Sequence, residues 1–146
     1  MLRIFAAAAA LALGLAGCTL GIAPGTPSPS GDYKLGVSYQ DAYKSALAQA
    51  RLCLTGDDAY KIENSLDTAG RTAQVRVVAP FTSNDIARVD IAAIDDRNSQ
   101  VKVVMWGRGI WNADAVVAMR DAIRFNLPAC TSYMPSDSVK PLKAPR

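Results

Sequence analysis

Four stretches of this chain alternate polar and apolar residues with a period of two, and no other feature narrows the fold so far. Tyr60, Ile62, Asn64 and Leu66 alternate with Lys61, Glu63 and Ser65, and Ala73, Val75, Val77 and Ala79 with Gln74, Arg76 and Val78. Ala87, Val89, Ile91 and Ala93 interleave with Arg88, Asp90 and Ala92, and Val101, Val103 and Met105 with Lys102, Val104 and Trp106. Successive side chains of a strand point to opposite faces, so this alternation predicts antiparallel strands with one buried face.

The turns between the strands test the pattern. A loop at Asp67–Gly70 sets Leu66 opposite Arg71, Ile62 opposite Val75 and Tyr60 opposite Val77. A loop at Asp96-Arg97-Asn98 sets Ala93 opposite Val101, Ile91 opposite Val103 and Val89 opposite Met105. Directly opposed residues share a face, and both loops satisfy that condition. A two-residue loop at Arg97-Asn98 would set Ala93 against Lys102 and fails it. The middle connection, Pro80 to Ile86, is longer and holds Phe81. The strands are predicted to form a four-stranded meander.

Helical spacing flanks the strands. Ser38-Tyr39-Gln40-Asp41 is a capping-box variant, with Ser38 accepting from a first-turn amide and an acidic group favouring the helix N-terminus. Tyr39, Ala42, Tyr43, Ala46, Leu47, Ala50, Cys53 and Leu54 then make one apolar face, and Gly56 supplies a left-handed stop. A second helix is predicted from about Ala113 to Asn126, capped by Asn112 or Asp114 and closed before Pro128. Its apolar stripe is Val116, Met119, Ala122 and Ile123, with Leu127 at its end. The expected order is α-β-β-β-β-α over residues 38–133, an α+β fold with both helices on one face of the sheet.

Composition removes several kinds of chemistry. There is no histidine, so the commonest general base and metal ligand is missing. Asp57-Asp58 and Asp95-Asp96 fall at predicted turns, where Asp is favoured for local hydrogen bonds. Serines and threonines are plentiful, but no Gly-x-Ser-x-Gly or Ser-x-x-Lys context is expected to carry a nucleophile. Gly107-Arg108-Gly109 reads as a turn, because Asn112 stands where a dinucleotide fingerprint needs glycine. The net charge of +3 is too weak to imply nucleic acid. The expectation is a non-enzyme with no catalytic residue, metal or cofactor.

The N-terminus carries an address. Arg3 precedes an apolar run from Ile4 to Leu15, and Leu15-Ala16-Gly17-Cys18 follows. An apolar helix of roughly 14 residues reaches about 21 Å, short of a hydrocarbon core about 30 Å thick, as befits a cleaved signal rather than a span. The Leu-Ala-Gly-Cys order resembles the lipobox of bacterial lipoproteins, and the chain as a whole resembles the small lipoproteins of Gram-negative bacteria. That resemblance implies removal of residues 1–17 and acylation of Cys18, a membrane anchor that does not span the bilayer. Thr19 rather than Asp after the cysteine implies an outer-membrane address facing the periplasm.

The resemblance also frames the remaining segments. Residues 18–37, rich in Gly, Pro and Ser, read as a tether, and the basic, Pro-containing 134–146 segment as a disordered tail. With Cys18 lipidated, Cys53 and Cys130 remain, one ending each helix. In an exported protein such a pair most often forms a structural disulfide, the alternative being two buried thiols.

The sheet face away from the helices is the expected interaction surface. Val78, Ile94, Val104 and Trp106 lie among Arg76, Arg88, Asp90 and Lys102 there, and Trp111 extends the group. An apolar patch rimmed by charge, with Trp and Arg in it, suits an envelope protein partner, unless the tether or the tail covers it. The resulting expectation is a periplasmic binding or scaffold module. The alternative is a small-ligand or enzymatic site in a cleft between helices and sheet.

Overall fold

The computed structural model describes residues 20–56 and 58–131. Cys18, the signal segment and the 134–146 tail lie outside the described residues. The elements in chain order are β1 (Ser30–Leu35), α1 (Tyr39–Cys53), β2 (Lys61–Asp67), β3 (Thr72–Val78), β4 (Asp85–Ala93), β5 (Ser99–Met105) and α2 (Ala113–Phe125). The class is α+β, and the four expected strands are joined by a fifth. The sheet is antiparallel in the order β1-β5-β4-β3-β2, so the meander runs β2 to β5 and β1 closes against β5.

That fifth strand corrects the reading of residues 18–37 as tether. Ser30 pairs with Val104 and Leu35 with Ser99. Tyr33 and Leu35 point to the helix side with Val101 and Ser99, and Asp32 and Lys34 to the other. Two inward residues in a six-residue strand are a faint signal, and the Pro/Gly-rich sequence just before them hides it. Upstream, Met105 donates its amide to the Pro29 carbonyl at 2.9 Å, and Ile22 donates to the Asp85 carbonyl at 2.7 Å. The segment from Leu20 to Pro29 is thus laid against the sheet.

The predicted faces hold but the register moves by two. Leu66 faces Ala73 rather than Arg71, and Ile62 faces Val77. Ala93 faces Ser99, Ile91 faces Val101 and Val89 faces Val103. A shift of two leaves every side chain on its face, whereas a shift of one would invert them all. The cause is turn chemistry. Asp67 Oδ1 accepts from the Gly70 amide at 2.9 Å, and Arg71 takes a left-handed φ of 53°, which makes residues 68–71 the loop. Asp95 Oδ1 accepts from the amides of Arg97 and Asn98, each at 2.8 Å, and begins the second turn two residues early.

Both helices cover one face. Ala42, Ala46 and Ala50 of α1 are completely buried, their small side chains letting the helix axis come close to Val75, Val77 and Val89. Met119 and Ile123 of α2 complete the layer over Val101 and Val103. Ser38 caps α1 by accepting from the Asp41 amide, as read from sequence, and of the two candidates for α2 it is Asn112 that caps, accepting from the Ala115 amide, with Asp114 inside the first turn. Asn126 ends α2 at φ 51°, and the chain then turns back along α1. Leu127, expected on the apolar stripe, lies beyond the helix and is exposed.

Three contacts fix this return segment. Ser45 donates to Asn126 Oδ1 at 2.8 Å, and Gln49 exchanges two hydrogen bonds of 2.9 Å with the backbone of Ala129. Cys53 and Cys130 are joined as a disulfide with Cα atoms 5.2 Å apart. Ser45 and Gln49 are buried polar side chains on a helix, and each is satisfied here.

Candidate functional site

The far face of the sheet is a polar lattice rather than an open apolar patch. Arg76 is the hub: its Nε donates to Asp85 at 2.8 Å, and another guanidinium nitrogen reaches Glu63 at 2.7 Å. Arg88 lies 3.1 Å from Asp90 and 3.6 Å from Asp85, and Gln74 donates to Asp90 at 2.6 Å. On the β1 side Gln100 donates to Asp32. The hydrogen bond to Asp85, reinforced by the nearby carboxylates, raises the Arg76 guanidinium above its usual range. Arg76 and Arg88 are direct cross-strand partners, so two like charges oppose each other and depend on the nearly buried Asp85 between them.

Asp85→Ala is therefore expected to destabilise the domain by about 2 kcal/mol, the scale of lost hydrogen bonds to a charged group. Part of that loss should return in high salt, which screens the two arginines. Urea unfolding at low and high ionic strength measures both effects. A loss unaffected by salt would assign Asp85 a packing role only.

Two apolar members of the expected patch, Val78 and Val104, are closed off. Val104 is 7% exposed and Val78 is also buried. Both lie toward the end of the sheet where Leu20–Pro29 is bonded to β4 and β5. Ile94 is exposed in the β4–β5 turn. Trp111 does not extend the surface: it is 5% exposed and part of the core. Its ring meets Tyr60 edge-on at 4.7 Å between centroids, and its indole nitrogen has no hydrogen-bond partner among the described residues. Trp106 is half-buried, 6.1 Å from Trp111 and with the Arg108 guanidinium 5.8 Å from its ring. The reason is the turn after β5. Gly107 at φ 96° and Gly109 at φ 57° fold Arg108 back onto Trp111, and this carries the second tryptophan under the sheet end.

The open apolar surface lies elsewhere, along the outer side of α2. Val117 is 43% exposed, Phe125 66% and Leu127 68%. They border a groove of about 550 Å³ that Ala118, Ala129 and Cys130 also line, with Asp114 and Asp121 on it. In the sequence this strip is overshadowed by the stronger apolar stripe of Val116, Met119 and Ile123. Val117, Asp121 and Phe125, spaced four apart, were the available signal.

The carboxyls that depart from their ordinary values go down. Asp41 is lowered by Ser38 and Lys44, Asp95 by the Arg97 amide and Asn98, and Asp121 by Arg120. Each is moved away from the near-neutral range that suits a proton donor. Ser99-Gln100-Val101-Lys102 has Ser-x-x-Lys spacing, but three residues along a strand reverse the face. Ser99 is buried toward the helices and Lys102 is exposed on the lattice. Among the described residues no group of three acidic, cysteine or histidine side chains could hold a metal, and no helix is long and apolar enough to cross a membrane. A scan of protein-family models matches none to this chain, and a search of curated proteins finds no similar one.

Proposed function

We propose that this protein is a lipid-anchored lipoprotein of the cell envelope, outer-membrane and periplasm-facing, whose domain binds a protein partner without catalysing a reaction. The observation that carries the reading is the cysteine arrangement. Cys53 and Cys130 are joined to each other, and the third cysteine, Cys18, stands at the lipobox position. A disulfide suits an exported chain, and a cysteine outside the pair suits acylation. The binding role draws support from the exposed strip of Val117 and Phe125 on α2, an otherwise amphipathic helix, and Leu127 just beyond it.

Metabolic labelling with a palmitate analogue should mark the wild type and not Cys18→Ser. Label on the variant, or cleavage elsewhere by intact mass, would overturn the anchor. For the binding role, Phe125→Ser/Leu127→Ser should abolish recovery of a stoichiometric envelope protein after mild crosslinking, with the melting curve unchanged. Undiminished recovery would move the partner to another face; turnover of a substrate by the purified domain would replace binding with catalysis.

A further inference from the structure

The described chain begins already docked. The Leu20 carbonyl accepts from Asn84 Nδ2 at 2.9 Å, and the Ile22 amide donates to the Asp85 carbonyl at 2.7 Å. Between them Gly21 is buried at φ 109°, and a Cβ there would come within 2.8 Å of both the Asn84 side chain and the Asp85 carbonyl. Glycine is what allows this close approach. Leu20 is therefore fixed to the start of β4, two residues after Cys18.

Two extended residues span about 7 Å at most. A bilayer holding an acyl group on Cys18 must then lie close to the loop that Asn84 closes. That loop is tight, with Ala79 donating to the Asn84 carbonyl at 3.0 Å and Thr82 to the Ala79 carbonyl at 3.4 Å. At its apex stands Phe81, fully exposed and held at φ 63°. A large aromatic side chain projecting wholly from a tight loop has no partner among the described residues. The nearest apolar phase to it is the one the anchor enters.

We infer that the Pro80–Asn84 loop rests on the lipid surface, with Phe81 inserted at the interface, so that this end of the sheet faces the membrane. The inference rests on the acylation of Cys18 proposed above and adds to it the orientation of the domain. The opposite end, with the turns at 68–71 and 94–98, points away from the bilayer. The domain does not swing on a long leash.

The test uses the full acylated chain reconstituted in phospholipid vesicles. An environment-sensitive dye is placed on Phe81→Cys and, for reference, on Ala69→Cys in the opposite turn. Lipids brominated in their acyl chains should quench the dye at 81 several-fold more strongly than at 69. Equal quenching at both sites, in protein that floats with the vesicles, overturns the docking and leaves the anchor standing. A dye at 81 shielded from a soluble quencher but not quenched by brominated lipid marks a protein contact there and also overturns it. A chain that fails to float and carries no acyl group by mass overturns anchor and docking together.

Discussion

Opening the Cys53–Cys130 bond, by reduction or by Cys53→Ala/Cys130→Ala, is expected to lower the unfolding free energy by about 2–4 kcal/mol. The bond spans a sequence separation of 77. For a closed loop of that length the chain-entropy relation gives about 4.5 kcal/mol. The observed loss should be smaller, because Ser45 and Gln49 still hold the return segment at Asn126 and Ala129 when the sulfurs part. At roughly 4 °C per kcal/mol for a domain near this size, the melting temperature should fall by about 8–16 °C. Melting curves with and without reductant decide the matter. Superimposable curves would show that the pair contributes nothing to stability.

A charge in the middle of the sheet is expected to do more. Val89 is almost fully buried on β4, between Val75 and Val103 in the ladder and under the helices. Val89→Asp would leave an unpaired carboxylate there, at a cost of several kcal/mol. A domain stable by about 5–15 kcal/mol has little margin for that, so the cooperative melt should be lost at neutral pH. Burial raises the pKa of the introduced carboxyl above its unfolded value. The penalty is then fully present above the folded-state pKa and relaxes as pH falls through it, so stability should recover in mild acid. Lys102→Gln, on the outer face of β5, is expected to change stability within about 0.5 kcal/mol. Circular-dichroism melts across pH measure all three. A wild-type melt for Val89→Asp would mean that the face assignment is wrong.

What was legible in the sequence was periodicity, because packing against a single layer of helices enforces it. Val75, Val89 and Val103 face inward for the reason that made them readable, and Ser38 and Asn112 cap helices through hydrogen bonds that any reader of side chains can anticipate. What escaped was set by features with no period. The hairpin registers turn on Asp67 and Asp95, each bonding backbone amides a few residues ahead. β1 has only Tyr33 and Leu35 to announce it. Trp111 sits beyond the last strand, where alternation no longer governs direction and the Gly107–Gly109 turn does. The surface expected to bind was inferred by extending alternation past Met105, and that extension is where the reading of the two tryptophans parted from the structure.

The two outermost strands have a consequence for how many copies can share a surface. Among the described residues, β1 and β2 each leave one row of backbone amides and carbonyls without a strand partner, the usual template for edge-to-edge aggregation. Both are written against it. β2 is exposed along almost its whole length and reads Lys-Ile-Glu-Asn-Ser-Leu-Asp, while β1 is short, begins just after Pro29 and carries Asp32 and Lys34. A neighbour adding a strand at either side would have to desolvate and re-pair those charges. If Cys18 is acylated as proposed, molecules crowded in one leaflet would meet at high local concentration with their sheets chemically capped, and association would be left to side chains rather than to the backbone.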